Sequence, residues 1–306
     1  MLDALLDASV FLSFDRTGYR RHARRFHAED LQVDLRGVTI VVTGANSGLG
    51  LAATRQLARL GATVAMACRD EGRGEAARAS VLAEQPGADV AVLRLDLSSL
   101  ADVRRFVAAW AGRVDVLVNN AGVLPPALTR TAEGHELTFA TNVLGPFALT
   151  KGLLPRLRDA GGRVVTVSSG GMYPVRLDLR ALEGDVRRFD GVKAYAQTKR
   201  AEVVLNALWA EREPRVTFAA MHPGWADTPA VRSALPRFHA LTRLILRSAD
   251  EGADTVTWLA ARRPAVPSGR FWFDRSEART HALPRTHERP GDREALWARL
   301  EALTAG

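Results

Sequence analysis

A tyrosine and a lysine stand four residues apart in the segment Tyr195-Ala-Gln-Thr-Lys199. On a helix this spacing places both side chains on one face, one turn apart. A tyrosine phenol titrates near pH ~10, but a neighbouring ammonium stabilises the phenolate and lowers its pKa. The pair can therefore serve proton transfer near neutral pH, although Tyr and Lys also fall four apart by chance on exposed helices.

Two further polar positions fit the same chemistry. Ser169 ends an apolar run together with Ser168 and can hold a carbonyl or hydroxyl oxygen for Tyr195. Alternation along a strand points only one of the two serines at a ligand, so Ser169 is preferred and Ser168 is left to satisfy backbone groups. Asn142 lies in an otherwise apolar helix, where its amide is either incidental or holds a water or a backbone carbonyl near Lys199.

A glycine-rich stretch lies earlier in the chain, where the apolar run Thr39-Ile-Val-Val-Thr43 gives way to an alanine- and leucine-rich segment at 51–60. The pattern predicts a strand, a tight turn and a helix. Gly44, Gly48 and Gly50 would allow a positive φ, a close approach of backbone to ligand, and close packing of helix on strand. The N–H groups that open the helix would then face a phosphate, although three glycines also fit an ordinary turn.

The next apolar run, at 61–69, predicts a second strand and completes a strand–helix–strand unit typical of dinucleotide binding. Such a strand normally ends in Asp or Glu, which binds the ribose 2′-hydroxyl of NAD. Here it ends in Cys68-Arg69, and the arginine fork matches a 2′-phosphate. The sequence therefore favours NADP(H) over NAD(H). Two alternatives stay open: Arg69 is an exposed residue without a role in binding, or Asp70 binds the ribose instead.

Strands and helices continue to alternate along the chain. Further strands are predicted at 90–96, 114–122, 162–169 and 216–221, and helices at 139–157 and 195–213. The alternation predicts an α/β protein: a single-domain Rossmann fold, in which a doubly wound parallel sheet carries helices on both faces. The ligand is expected at the carboxyl ends of the strands, with the long connection 170–192 on the surface nearby.

Three segments are distinguished by this pattern. Residues 34–275 are predicted to form the Rossmann domain, after an N-terminal helical extension (1–33) and before a C-terminal tail (276–306). Past Pro223 the chain is predicted to be irregular, with a helical apolar pattern at Val231, Leu235, Phe238, Leu241 and Ile245, and the segment 226–250 is interpreted as a substrate lid. The extension has helical apolar spacing over 2–14 and a predicted break at Thr17-Gly18. It either packs on the domain, the commoner fate, or contacts a membrane surface or partner through residues 1–30.

Composition narrows the class of protein. The 306-residue chain is 47% hydrophobic and 25% charged, as soluble globular proteins are. No apolar run approaches the roughly 18 residues of a membrane span, and the first residues do not resemble a signal peptide, so a cytoplasmic location is expected. Cys68 is the only cysteine, which excludes an intrachain disulfide, and no metal is expected. The net charge of +8 comes from scattered arginines, which favours solvated surface over nucleic-acid binding.

Together these motifs, with Asn119-Asn-Ala-Gly122 and Pro223-Gly224, resemble the motif series of the short-chain dehydrogenase/reductase superfamily over about residues 34–274. The stretches 167–172, 221–229 and 267–271 are similar to one subfamily whose substrates are poorly defined. Ser169 and Tyr195 are farther apart than in many members, although retinol-dehydrogenase-like relatives carry a similar insertion. Members often pair through helices corresponding to 101–110 and 139–157, so the assembly of this chain into a homo-oligomer stays an open alternative.

The resemblance implies a tetrad in which Lys199 lowers the tyrosine pKa and grips the nicotinamide ribose, while Asn142 holds a proton-relay water. Its catalytic residues are Asn142, Ser169, Tyr195 and Lys199. The expected cofactor-binding residues are Gly44, Asn46, Ser47, Gly48, Leu49, Gly50, Arg69, Asp96 (beside the adenine), Leu97, Asn119, Ala121, Gly122, Tyr195, Lys199, Pro223, Gly224 and Thr228. The expected substrate-binding residues are Ser169, Tyr195, Trp225, Val231, Leu235 and Phe238.

Three hypotheses follow from the sequence. The first is an NADP-dependent oxidoreductase that passes hydride between the nicotinamide and a carbonyl or secondary alcohol of an apolar small molecule. The second is a catalytically silent NADP-binding regulatory protein of the same fold, against which an intact tetrad argues. The third, a basic protein of nucleic acid or membrane surfaces, depends on net charge and the N-terminal extension alone.

Overall fold

One parallel sheet organises the protein, as seen in a computed structural model that describes residues 10–185 and 187–305. Its eight strands run in the order β3-β2-β1-β4-β5-β6-β7-β8. Every neighbouring pair is parallel except β7 and β8, which are antiparallel. The strand order reverses between β1 and β4, which opens a crevice at the carboxyl ends of these strands. The predicted doubly wound Rossmann fold is therefore confirmed.

Helices alternate with the strands. The strands are β1 (Thr39–Thr43), β2 (Thr63–Cys68), β3 (Val90–Arg94), β4 (Val116–Asn119), β5 (Arg163–Val167), β6 (Thr217–Met221), β7 (Arg270–Phe273) and β8 (Ser276–Glu277). The helices are α1 (Val10–Phe14), α2 (Arg16–Ala23), α3 (Gly48–Arg59), α4 (Glu71–Glu84), α5 (Leu100–Ala109), α6 (Gly145–Ala160), α7 (Leu179–Leu182), α8 (Gly191–Arg212), α9 (Pro229–Ala234), α10 (Pro236–Thr242), α11 (Ala249–Ala261) and α12 (Asp292–Leu303). A turn at Leu137–Phe139 and a π-helical segment at Ala140–Leu144 lead into α6.

The core lies on both faces of the sheet. Val41 and Leu117 belong to the apolar cluster on one face, whereas Ile40, Val42 and Val118 belong to the cluster on the other. Successive side chains of a strand point to opposite faces, so alternate residues enter alternate clusters. Because helices cover both faces, both sets are buried, which is why the strands are continuous apolar runs in the sequence.

Helix caps decide where several helices begin. The helix predicted at 195–213 begins earlier, at Gly191, because the Asp190 side chain accepts hydrogen bonds from the backbone N–H groups of Val192 and Lys193. Capping of this kind satisfies donors that the first turn of a helix leaves unpaired. The extra turn places the loop before α8 close to Tyr195.

The prediction that the chain becomes irregular past Pro223 is wrong, although the helical apolar pattern noted at 231–245 overlaps α9 and α10. Helices α9 and α10 are followed by α11, whose thirteen residues pack on α3 and on the central strands β4, β5 and β6. Ser248 and Glu251 form a capping box at its start, because each side chain binds the backbone N–H of the other residue. This four-residue signature is visible in the sequence and marks a helix start.

The predicted break in the N-terminal extension is also placed wrongly. Residues 1–9 lie outside the described residues, and the break falls at Asp15, because α2 continues through Thr17 and Gly18. The Asp15 carboxylate caps α2 by accepting from the Gly18 N–H at 2.9 Å and from the Thr17 hydroxyl at 2.7 Å. Gly18 packs against the backbone carbonyl of Ser13, a place where a Cβ would overlap. Here glycine serves close packing rather than helix termination.

The segment predicted as a C-terminal tail includes α12, which packs against α8. Leu296 and Leu300 are buried in the core cluster that contains Phe147 and Trp209. The Trp297 ring lies 4.6 Å from the Trp209 ring and 5.1 Å from the Phe147 ring, measured between centroids. Aromatic contacts of this kind stabilise a core beyond their buried area alone.

This packing predicts that α12 contributes to global stability. Trp297→Ala removes a large ring from the cluster and is expected to lower the free energy of unfolding by about 2 kcal/mol. Leu241→Ala is the control, because Leu241 is 87% exposed and its truncation should change stability by less than about 0.5 kcal/mol. Urea unfolding of both variants measures the difference, and equal midpoints would contradict the assigned role of α12.

Candidate active site

The glycine turn between β1 and α3 forms one wall of the crevice. Gly44 and Gly48 have φ angles of +65° and +53°, which glycine adopts without strain. A Cβ on Gly50 would overlap the Gly44 carbonyl oxygen and lie 2.5 Å from the Asn120 amide nitrogen. Ser47 makes no side-chain cap, so the first N–H groups of α3 remain available to an anion at the crevice. These features fit the pyrophosphate of a dinucleotide.

Asn120 fixes this turn to the end of β4. Its Nδ2 donates to the Thr43 carbonyl at 2.8 Å and to the Gly44 carbonyl at 3.3 Å. The Thr43 hydroxyl in turn accepts from the N–H groups of Asn120 and Ala121, each at 3.0 Å. The sequence analysis missed Asn120 and selected Asn119, whose amide instead donates to the Thr150 hydroxyl of α6 at 3.1 Å. The amide nitrogen of Asn119 is thus engaged by α6 and not by the glycine turn.

Several expected cofactor residues lie around the turn. Asn46, Ser47 and Leu49 are half-buried within it. A Cβ on Gly48 would lie 3.3 Å from Thr228, so the start of α9 closes over the glycine turn. Gly122 is exposed, and a Cβ there would lie 3.5 Å from the Lys199 Nζ. Gly122 thus lies where the side of the crevice formed by the glycine turn, here called the cofactor wall, borders the catalytic residues.

Others occupy the flanks of the crevice. The Asp96 carboxylate accepts from the Ser98 N–H at 2.9 Å and hydroxyl at 2.7 Å, whereas the Leu97 side chain is buried in the core. Arg69 is exposed directly after β2. Gly224, with φ +70°, follows Pro223 and packs against the guanidinium of Arg247, where a Cβ would lie 2.5 Å away.

The tyrosine and the lysine share one face of α8 as their spacing predicts. Lys199 Nζ lies 5.3 Å from the centroid of the Tyr195 ring. The ammonium also donates to the Val167 carbonyl at 2.9 Å and to Glu202 Oε1 at 2.8 Å. Burial alone would lower the pKa of Lys199, but Glu202 and Tyr195 raise it. The ammonium is thus held as a cation beside a half-buried phenol.

The two serines divide their tasks as expected. The Ser168 hydroxyl is buried and donates to the Lys199 carbonyl at 2.8 Å, which satisfies a backbone group. The Ser169 hydroxyl is half-buried and accepts from the Gly171 N–H at 3.1 Å, so its own proton remains available to donate. Ser169 can therefore hold the oxygen of a carbonyl, which accepts hydrogen bonds.

Asn142 holds the loop after β4. It lies in the π-helical segment, and its Oδ1 accepts from the Val123 N–H at 2.9 Å. Its Nδ2 donates to the Val123 carbonyl at 3.2 Å and to the Thr198 hydroxyl at 3.0 Å. Asn142 thus binds a backbone carbonyl next to Gly122 and joins that loop to α8. Single π-turns inside helices are frequent at functional sites.

The predicted lid meets the N-terminal extension, a contact that the sequence analysis missed. The Trp225 N–H donates to the Phe14 carbonyl at 2.8 Å, and the Phe14 ring lies 2.5 Å from the position of a Cβ on Gly170. The buried Arg247 guanidinium donates to the carbonyls of Ser13 and Phe14, each at 2.9 Å. Residues 13–15 therefore lie between Ser169 and the lid.

The lid residues selected from the sequence are only partly brought together. The rings of Trp225 and Phe238 are in edge contact at 5.2 Å, and Val231 and Leu235 are half-buried. A cleft of about 600 Å³ opens beside the start of α8. Ala234 is the residue of α9 that lines this cleft. Its other lining residues come from the loop after β4 (Leu124 and Pro126), the loop before α8 (Arg188, Phe189 and Asp190) and the first turn of α8 (Gly191, Val192 and Lys193).

Within the part of the chain that the structure describes, two further features are absent. No cluster of three or more His, Cys, Asp or Glu side chains is arranged to hold a metal ion. No described helix has the length and apolar character needed to cross a membrane.

The chain belongs to the short-chain dehydrogenase/reductase family, because the family model "short chain dehydrogenase" matches residues 38–237. Dehydrogenase/reductase SDR family member 12 of Bos taurus is 41% identical over 296 residues, which cover 95% of this chain and 93% of that protein. Retinol dehydrogenase 12 of Bos taurus is 36% identical over 256 residues, 79% of each protein. The crystal structure of an uncharacterised protein from Mycobacterium paratuberculosis, 36% identical, covers 89% of this chain and 95% of that chain with a TM-score of 0.72. The predicted family is confirmed, and the protein is an NAD(P)-dependent oxidoreductase.

Both nicotinamide cofactors occur among the structural neighbours. A protein assigned as an NAD(P)-dependent gluconate 5-dehydrogenase from Beutenbergia cavernae, solved with NADP at low occupancy, has 25% identity and a TM-score of 0.64, covering 78% of this chain and 95% of that one. A 3-ketoacyl-(acyl-carrier-protein) reductase from Brucella melitensis, solved with NADH, has 25% identity and a TM-score of 0.61, covering 78% of this chain and 96% of that one. The choice between the two cofactors therefore depends on this chain's own residues.

The glycine turn gives a direct test of cofactor binding. Gly50→Ala places a Cβ against the Gly44 carbonyl and is expected to weaken the binding of NADPH and NADH at least ten-fold, because the turn must open. Gly72→Ala is the matched control, since the nearest atom to its Cβ, at 3.5 Å, is in ordinary contact. Isothermal titration calorimetry measures both variants. Equal affinity in Gly50→Ala and the control would contradict cofactor binding at this turn.

Proposed function

We propose that the protein is an NADP(H)-dependent reductase of a carbonyl group in an apolar small molecule. The observation that carries the proposal is the Lys199 ammonium, which lies 5.3 Å from the Tyr195 ring and beside Gly122 at the cofactor wall. This arrangement supports a proton donor beside the nicotinamide of a dinucleotide bound in the crevice. Reduction is favoured as the direction because cells keep NADPH largely reduced.

Each residue of the tetrad has one task in this reaction. The bound NADPH supplies the hydride. Ser169 donates a hydrogen bond from its hydroxyl to the carbonyl oxygen and so orients the substrate, and Tyr195 transfers its phenolic proton to that oxygen. Lys199 stabilises the resulting phenolate and binds the nicotinamide ribose. Asn142 keeps the loop at Gly122 in place, and the proton returns to the phenolate by way of Lys199.

The preference for NADP(H) is supported by the two residues after β2. The Asp70 carboxylate caps α4 by accepting from the Arg73 N–H at 2.9 Å, so it is engaged away from a ribose 2′-hydroxyl. Arg69 beside it is exposed and permanently charged. An arginine fork binds a 2′-phosphate and has no comparable partner in NADH.

An exchange of charge tests this preference. Arg69→Asp removes the attraction for the 2′-phosphate and adds repulsion, so NADPH affinity is expected to fall at least ten-fold relative to NADH. Arg215→Asp makes the same charge change at an exposed position just before β6, at the end of that strand opposite to the crevice. Calorimetric titration with both cofactors gives the ratio. An unchanged ratio in Arg69→Asp would remove Arg69 from the cofactor site.

The apolar substrate is supported by the lid. Trp225 and Phe238 form an aromatic pair there, and Val231 and Leu235 flank it. The alternative of a silent NADP-binding regulatory protein shares all cofactor contacts and differs only in turnover. We also propose a cytoplasmic protein without nucleic-acid partners, because many of its arginines pair with carboxylates, among them Arg36, Arg158 and Arg275. A homo-oligomer and a membrane-surface contact of residues 1–30 remain proposals on the sequence alone.

Tyr195→Phe separates catalysis from structure. The change keeps the ring but deletes the proton, so turnover is expected to fall roughly 10²–10⁴-fold while folding and cofactor binding persist. Tyr173→Phe is the matched control, because it deletes a hydroxyl that donates to the Arg279 carbonyl outside the tetrad. A panel of aldehydes and ketones, followed by loss of NADPH absorbance, identifies a substrate for the comparison. Near-normal rates in Tyr195→Phe would favour the silent regulatory protein.

A further inference from the structure

A buried carboxylate lies behind the lysine of the site. Glu202 follows Lys199 by three residues on α8, and its side chain is only 6% exposed. Its Oε1 accepts from Lys199 Nζ at 2.8 Å. The Tyr195–Lys199 chemistry does not require this carboxylate, and removing a carboxylate from water is unfavourable unless its oxygens find partners. The burial of the Glu202 carboxylate beside Lys199 therefore requires a physical explanation.

The second oxygen of Glu202 faces a polar cavity. Among the described residues, neither Glu202 Oε2 nor Asn119 Oδ1 has a hydrogen-bond partner, although both are buried. Both residues line a cavity of about 30 Å³, which is large enough for one or two water molecules. Its polar lining residues are Asn119, Asn142, Thr150, Thr166, Glu202 and Asn206. Two unpaired acceptors in one polar cavity are a setting in which buried water binds.

The charges around Glu202 are few. The polar residues that share the cavity with Glu202 from other elements are neutral, and they are Asn119 on β4, Thr166 on β5, Asn142 in the π-helical segment and Thr150 on α6. The ionisable groups nearby, Lys199 and Tyr195, lie on its own helix. Burial raises the pKa of Glu202 to about 7, and the Lys199 ammonium opposes this shift. The carboxyl can therefore gain or lose its proton near neutral pH, beside the ammonium.

We propose that Glu202 is a positioning residue of the reaction, which holds the Lys199 ammonium through one oxygen and binds cavity water through the other. The inference deepens the proposed function and rests on it. When Tyr195 gives its proton to the substrate oxygen, one proton must return to the phenolate. Lys199 supplies it, Glu202 reprotonates Lys199, and water in the cavity reprotonates Glu202, so one solvent proton enters for each carbonyl reduced.

The charge of Glu202 has a defined effect on Tyr195. A carboxylate beside Lys199 compensates the ammonium charge, so the phenolate is stabilised less than by a lone lysine. Glu202→Gln keeps the side-chain size and an acceptor oxygen but removes the charge. The tyrosinate titration should then move to lower pH, by roughly one unit. Lys199→Ala should move it in the opposite direction, because the phenolate loses its cation.

Tyrosinate absorbance measures this without substrate or cofactor. The chain has three tyrosines, and burial raises the pKa of Tyr173 to about 12 and also raises that of Tyr19. Tyr195→Phe identifies the tyrosinate signal of Tyr195, because it abolishes that signal and leaves the other two. Thr150→Val alters the same cavity without a charge change and should leave the midpoint in place. Glu202→Asp keeps the charge and should also leave the midpoint of the tyrosinate titration unchanged.

The outcomes separate this inference from the proposed function. A midpoint that stays fixed or rises in Glu202→Gln overturns the role of Glu202, whatever the substrate is. A midpoint that falls in a protein without carbonyl reductase activity supports the Glu202 coupling and overturns the proposed function alone. If Glu202→Gln does not fold, infrared spectroscopy of the unaltered protein tests the same point. A protonated-carboxyl band should disappear as the pH rises through about 7, and its absence at pH 6 overturns the inference.

Discussion

The hydrogen bonds of one ammonium group fix the geometry on which the rest of the site depends. Lys199 Nζ binds the Val167 carbonyl at the end of β5 and the Glu202 carboxylate on its own helix. The Ser168 hydroxyl binds the Lys199 carbonyl from the opposite direction, so α8 and the end of β5 are joined twice. This junction sets the place of Tyr195, one turn earlier on α8, and of Ser169, which follows Ser168. A neutral side chain at 199 would remove the charge as well as one of these joints.

The cofactor wall depends on a second set of polar contacts at loop ends. Asn120 and Thr43 exchange hydrogen bonds between the ends of β4 and β1, and Asn142 holds both backbone groups of Val123. Backbone groups that a strand leaves unpaired at its end are thus satisfied by side chains from neighbouring elements. The crevice is consequently preformed, and the glycine turn does not have to be ordered by a ligand.

The sequence was sufficient where the determining interactions are local. Strand periodicity, the glycine spacing and the i, i+4 pair predicted the sheet, the turn and the joint face of Tyr195 and Lys199, because each depends on backbone geometry over a few residues. Glu202 escaped notice because a glutamate in a helix is typical of a solvated surface, and only the fold buries it. Phe14 was missed for a related reason: its contact with Gly170 joins residues more than a hundred positions apart, which no spacing rule connects.

The Arg247 guanidinium couples the N-terminal extension to the lid. One guanidinium binds the carbonyls of Ser13 and Phe14 and the carboxylate of Asp274 while it lies against Gly224 at the base of the lid. Opening the lid at this base must therefore strain or release the extension, and release of the extension must loosen the lid. The extension is thus part of the hinge of the lid, and a substitution at Arg247 would act on both segments at once.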